Sequence, residues 1–77
     1  MIPGVFGESV RAFRQRSGLT QEELAARAGV SVRSIRDIEA GRTGRARPGT
    51  VRLLAEVLGL AGTEREEFLA AAAPGPA

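Results

Sequence analysis

Arg33, Arg36 and Asp37 follow directly on the break Gly29-Val30-Ser31, and Arg42, Arg45 and Arg47 crowd the segment just beyond them. A guanidinium is planar and donates from a fixed fork, so it grips a phosphate, a carboxylate or the O6 and N7 edge of guanine through two parallel hydrogen bonds. A carboxylate four positions after an arginine on a helix can hold that arginine in place. The chemistry on offer is recognition of a polyanion by positioned cations. Catalysis has little to work with: the chain contains no His and no Cys, which removes imidazole acid–base chemistry, thiols, disulfides and the usual zinc ligands. Ser31 and Thr50 are candidate nucleophiles with no base placed beside them, so no enzyme, metal or cofactor is expected. The stretch GRTGRARPG lacks the Gly-Lys-Ser/Thr ending of a phosphate-binding loop and follows no strand, which argues against a nucleotide site.

The elements that would position these cations must come from one small domain, because 77 residues build only a thin core. Net charge is +2, but it is unevenly spread. Residues 1–52 hold ten Arg against five acids, a net of +5, and residues 53–77 hold Arg65 against Glu56, Glu64, Glu66 and Glu67, a net of −3. A basic end and an acidic end are what a domain with one face toward a polyanion shows. No apolar run approaches the length of a membrane span, and the start MIPGVFGESV lacks the regions of a signal peptide. A cytoplasmic protein without membrane contact is the expectation.

Apolar spacing predicts five short helices and no strand, an all-α fold. A first helix from about Phe6 to Ser17 lines up Phe6, Val10 and Phe13, with Gly18 as its stop. Thr20 N-caps a second, where TQEE is a capping box with Glu23 at N3. Leu24, Ala25 and Ala28 face inward and Gly29 ends the helix. Ser31 caps a third helix to about Ala40, burying Ile35 and Ile38, with Gly41 as its stop. Pro48 opens a fourth, with Val51, Leu54, Ala55 and Leu58 on one stripe and Leu60 sealing its end. A second capping signature, Thr63 with Glu66, opens a fifth that buries Phe68, Leu69 and Ala72. The phenylalanines Phe6, Phe13 and Phe68 all fall on apolar stripes, so no aromatic is left to stack on single-stranded bases. The domain spans residues 1–73, and PGPA at 74–77, the end of the stretch APGPA, reads as a linker-like tail, the composition of a join to further, C-terminal sequence.

Two short helices joined by a three-residue turn containing glycine, the second capped by Ser, match helix-turn-helix geometry. The residues Thr20-Gln21-Glu22-Glu23-Leu24-Ala25, Ala28-Gly29-Val30-Ser31, Ile35 and Ile38-Glu39-Ala40-Gly41-Arg42 resemble the lambda-repressor-like (Xre family) helix-turn-helix domain from about Phe6 to Ala72. In wording the chain is similar to the small N-terminal domains of actinobacterial transcriptional regulators. The resemblance implies a compact five-helix bundle that binds double-stranded DNA, with the third helix in the major groove. It implies that Gln21 binds a phosphate, that Ser31, Val32, Arg33, Arg36 and Asp37 face the groove, and that Ser34 lies near a phosphate or base edge. It also implies an ion pair between Arg14 and Glu39.

On geometry, Arg33 is the best candidate for bidentate contact with guanine, and Val32 could touch a thymine methyl. Asp37 could accept from cytosine N4 or orient Arg33 or Arg36, and the repulsion between a carboxylate and the phosphates favours the orienting role. Arg42, Arg45 and Arg47 would anchor phosphates beside the third helix. A homodimer on a palindromic site would place two copies about 34 Å apart. The rival reading is a protein-interaction module that uses the same basic face on an acidic partner.

Overall fold

The computed structural model describes residues 5–42 and 46–72. Arg45 and the boundary drawn between residues 73 and 74 lie outside them. Five helices follow in order, α1 (Val5–Arg16), α2 (Gln21–Ala28), α3 (Val32–Glu39), α4 (Pro48–Val57) and α5 (Gly62–Ala72), with no strand among the described residues.

Local chemistry sets most of the helix ends. Thr20 Oγ accepts from the Glu23 amide at 3.0 Å while Glu23 Oε1 accepts from the Thr20 amide at 2.8 Å, so the capping box satisfies two first-turn donors at once. Gly29, at φ 72°, stops α2: its N–H reaches the Ala26 carbonyl and the Val30 N–H reaches the Ala25 carbonyl. That backbone is left-handed, which a residue with a Cβ adopts only at a cost. Ser31 Oγ then accepts from the Ser34 amide at 3.1 Å and α3 begins at once. Helices α1, α3 and α4 close with the same pair of reversed hydrogen bonds, made by Gly18 and Leu19, Gly41 and Arg42, and Gly59 and Leu60.

Two expectations shift. α1 runs from Val5 to Arg16, one residue earlier at each end than the apolar spacing suggests. The second capping box does not form. α5 starts at Gly62, and the Ala61 carbonyl accepts from the Arg65 amide in the cap position, so Thr63 sits inside the first turn. The chain turns between α4 and α5 at two left-handed glycines, Gly59 at φ 69° and Gly62 at φ 58°, and with the second turn at Gly62, Thr63 already lies within α5.

The core is Val10, Leu24, Ala25, Ala28, Ile35, Ile38, Val51, Leu54, Ala55, Leu58, Leu60 and Phe68. Every apolar stripe read from the sequence contributes to it, and Phe6, Phe13, Leu69 and Ala72 pack against it half-buried. The Phe6 and Phe13 rings meet the buried Phe68 ring with centroids 4.9 and 6.0 Å away, tilted and edge-on, the arrangements that ring quadrupoles favour. These contacts seat α1 on α5, α2 packs on α3 and α4, and α3 is gripped by α2 on one side and by α1 at its C-terminal end.

That last contact depends on Gly7, in the first turn of α1. A Cβ built there would lie 2.1 Å from the Ile38 carbonyl oxygen, and both atoms are main-chain or main-chain-bound with no flexible end to move. Gly7→Ala is expected to cost about 1–3 kcal/mol by overpacking, lowering the thermal midpoint by roughly 4–8 °C per kcal/mol in a domain of this size. Gly49, in the first turn of α4, has open space around a built Cβ, so Gly49→Ala should instead stabilise by about 0.4–1 kcal/mol. Circular dichroism melts of the two variants check both signs.

The Thr20 amide hydrogen bond, first, and the Thr20 hydroxyl, second, hold the Glu23 carboxylate below its ordinary value of 4.5. A depressed folded-state value contributes stability above that pH and loses it as pH falls through the folded value. The stability gap between wild type and Glu23→Gln should therefore be widest near neutral pH and close as the pH drops below 4.5, measured by urea titration across pH.

Candidate nucleic-acid interface

The site is built around one carboxylate. Glu39 is the last residue of α3, where the helix dipole disfavours negative charge, and its side chain is only 5% exposed. Both conditions demand a close cation. Arg14 of α1 supplies it: Nε donates to Glu39 Oε2 at 2.6 Å and Nη2 to Oε1 at 3.0 Å, while Nη1 donates to the Leu19 carbonyl at 2.9 Å. The bond to Glu39 outweighs burial and makes Arg14 hold its proton more firmly than a free guanidinium. Gln21 Nε2 adds a further bond to Glu39 Oε1 at 3.1 Å. One carboxylate thus joins α1, the α1–α2 turn and the start of α2 to the end of α3.

With its C-terminal end held and Ile35 and Ile38 buried, α3 turns its other side outward. Arg33 is the most extended of these side chains, 90% exposed. Asp37 sits between two cations, its Oδ2 4.0 Å from Arg33 Nε and its Oδ1 3.4 Å from Arg42 Nε. Arg36 pairs with neither; its Nη2 donates to Glu22 Oε2 of α2 at 3.3 Å. Ser31 and Ser34 are exposed, with their hydroxyls 3.0 Å apart, so Ser31 serves its own helix as cap. Val32 is half-buried and packs on the core, which leaves only its outer edge toward solvent. Gln21 is likewise half-buried, with its amide nitrogen turned to Glu39. Arg47 is exposed next to Pro48 at the start of α4, and Arg45 lies outside the described residues.

The structure therefore gathers Arg33, Asp37 and Arg42 into one cluster and sets Arg36 with Glu22 at the α2 edge. Spacing alone pairs Arg33 with Asp37, but neither the Arg42 contact nor the Glu22 contact was expected. A signal for Arg42 does exist. It occupies the position after the helix-ending glycine, where α1, α2 and α4 have the apolar Leu19, Val30 and Leu60, and its N–H bonds back to the Asp37 carbonyl at 2.9 Å. An arginine there is folded over its own helix onto the residue five before it. Glu22 carries no such local signal, because its contact crosses between helices.

Away from this face, Arg16 donates to Glu64 at 2.7 and 3.2 Å and lies 4.6 Å over the Phe13 ring, fastening α1 to the acidic α5. Among the described residues no helix is long and apolar enough to cross a membrane, and no group of acids could hold a metal ion.

A helix cap, a left-handed glycine turn and a second, outward-facing helix are the defining parts of a helix-turn-helix. The family model described as a helix-turn-helix domain matches residues 5–68, and the chain belongs to that family, with the Xre-like character that its residues suggest. It is similar to the HTH-type transcriptional repressor RghR of Bacillus subtilis (strain 168), 45% identical over 53 residues, which is 69% of this chain and 39% of that protein. It is also similar to the uncharacterized HTH-type transcriptional regulator RghRB of the same strain, 40% identical over 53 residues, 69% of this chain and 38% of that protein. The aligned region thus spans well under half the length of either relative.

Removing Arg14 would leave Glu39 charged, buried and at the wrong end of a dipole. Arg14→Ala is expected to cost about 3–5 kcal/mol, a large share of the roughly 4–12 kcal/mol that a domain of this length commands. Arg14→Met combined with Glu39→Leu should recover most of it, because an apolar pair removes the unmatched charge. Urea unfolding of the single and double variants reads the difference.

Proposed function

We propose that this domain binds double-stranded DNA sequence-specifically, as the DNA-binding part of a bacterial transcriptional regulator acting on the nucleoid in the cytoplasm. The observation that carries the reading is the presentation of Arg33. It projects almost fully exposed from the first turn of an eight-residue helix that follows a tight glycine turn, with Asp37 set to steady it. A helix of eight residues is about 12 Å long and fits the major groove, where it would span about four to six base pairs.

In this reading Arg33 takes guanine O6 and N7, Ser31 and the outer edge of Val32 lie beside the neighbouring bases, and Asp37 orients Arg33. Arg42, held by the same carboxylate, and Arg47 anchor phosphates on the C-terminal flank of α3, with Arg45 in the segment between them. Gln21 and the first-turn amides of α2 meet a phosphate on the other flank, and Ser34 stands beside it. The capped region is small, so one copy binds modestly and with strong salt dependence. Two copies on a palindrome, one helical turn apart, would supply tight binding, as would further domains in a longer protein. The similarity to a transcriptional repressor and a transcriptional regulator favours the same assignment.

Selection from random duplex DNA followed by titration against scrambled DNA tests it. Arg33→Ala should lose about 1–3 kcal/mol of discrimination, whereas Arg47→Ala should weaken all duplexes alike and lower the salt slope by about 0.9. Failure to enrich any motif, with binding that only fades as salt rises, would point to an acidic protein partner for this face.

A further inference from the structure

Of the two cations on α3, Arg33 is steadied from within its own helix, but Arg36 is held from outside it. The Arg36 Nη2 donates to Glu22 Oε2 at 3.3 Å, and both side chains are largely in solvent, 53% and 66% exposed. Neither is needed for packing. Glu22 is the second residue of α2, in a turn whose donors are unequally used. The amides of Thr20, Glu23 and Leu24 are taken by Glu23 Oε1, Thr20 Oγ and the Thr20 carbonyl. Those of Gln21 and Glu22 lie at the first two helical positions, which have no intrahelical acceptor. Arg36 therefore leans toward the flank on which the proposed function brings a phosphate, not toward the groove floor that Arg33 faces.

We infer that Glu22 is an intramolecular competitor for the DNA backbone, holding Arg36 in the place a phosphate would take and weakening binding to every duplex by the same factor. The inference rests on the DNA-binding reading and refines it: Arg36 becomes a backbone contact governed by Glu22, and base selection stays with Arg33. The physics is that of an exchange. Docking on a phosphate requires Arg36 to release a carboxylate, and the released Glu22 charge then faces the phosphate that displaced it. An exposed ion pair is worth a factor of only about 1.5 to 5, and the stranded like charge adds to it. Because neither contribution involves a base edge, the effect is the same on all sequences.

The experiment compares wild type, Glu22→Gln, Arg36→Ala and the double variant, each titrated at several salt concentrations with the selected duplex and with scrambled duplex. Glu67→Gln, an identical charge change on α5, serves as control. Glu22→Gln should tighten binding roughly three- to tenfold at low salt on both duplexes, a gain that shrinks as added salt screens the exposed charges. The ratio between duplexes should stay constant. The gain should vanish in the Arg36→Ala background, Glu67→Gln should change affinity less than twofold, and all variants should melt with the wild type.

A changed ratio between duplexes on Glu22→Gln would overturn the inference, since Glu22 would then be positioning Arg36 on a base. So would an equal gain without Arg36, which would reduce Glu22 to bulk charge. If the wild type shows no sequence preference, base reading fails but Glu22 is still tested on scrambled DNA. If it binds no duplex, the DNA reading itself falls and takes the inference with it, an outcome distinct from duplex binding that ignores Glu22→Gln.

Discussion

Everything on the presented face depends on a buried carboxylate at the wrong end of a helix. Glu39 occupies the last turn of α3, where backbone carbonyls already concentrate negative charge, and solvent barely reaches it. Its charge is tolerable only because Arg14 engages both its oxygens and Gln21 donates to one of them. The same arginine binds the Leu19 carbonyl, so the requirement to neutralise one charge fixes three pieces of chain against the end of α3. Gly7 completes the arrangement by letting the α1 backbone lie against the Ile38 carbonyl. With that end clamped from α1 and α2, the N-terminal turn of α3 is the part left free to project.

This arrangement separates holding from reading. Ile35 and Ile38 enter the core and Glu39 enters the ion-pair network, while Arg33, Ser34 and Arg36 stay outside. The free cations are not loose, however. Asp37 lies between Arg33 and Arg42, and Glu22 holds Arg36, so the arginines of this face are already oriented by weak, exchangeable partners. On the far side, Arg16 and Glu64 use the opposite charges of α1 and α5 to fasten the bundle, and the remaining acids of α5 stay exposed.

Much of the fold was legible because it is written in local patterns. The Thr20-to-Glu23 box, the Gly29 and Gly41 stops, the Ser31 cap and the helical stripes each need only neighbours within a turn or two, and each appears where its residues predict. The Thr63 and Glu66 signature has the same form yet fails, since the chain turns at the left-handed Gly62 and Thr63 already lies inside α5. The Arg14 and Glu39 pair came from family resemblance, because nothing in a separation of 25 residues announces contact. Gly7 and Glu22 were missed for the same reason: a glycine in an amphipathic helix and a first-turn acid acquire meaning only when a second helix is placed against them, whereas the contact of Arg42 with Asp37 is local to α3.

The central claim is that the outer face of α3, set by the Glu39 clamp, is the surface that meets DNA. Nuclear magnetic resonance spectra of the labelled domain, titrated with a short duplex carrying its selected site, test this most directly. Amide shifts should concentrate at Ser31 to Asp37, at Gln21 and Glu22, and at Arg42 and Arg47, with α5 unmoved. Shifts centred on α4 and α5, or spread evenly over the chain, would contradict the claim.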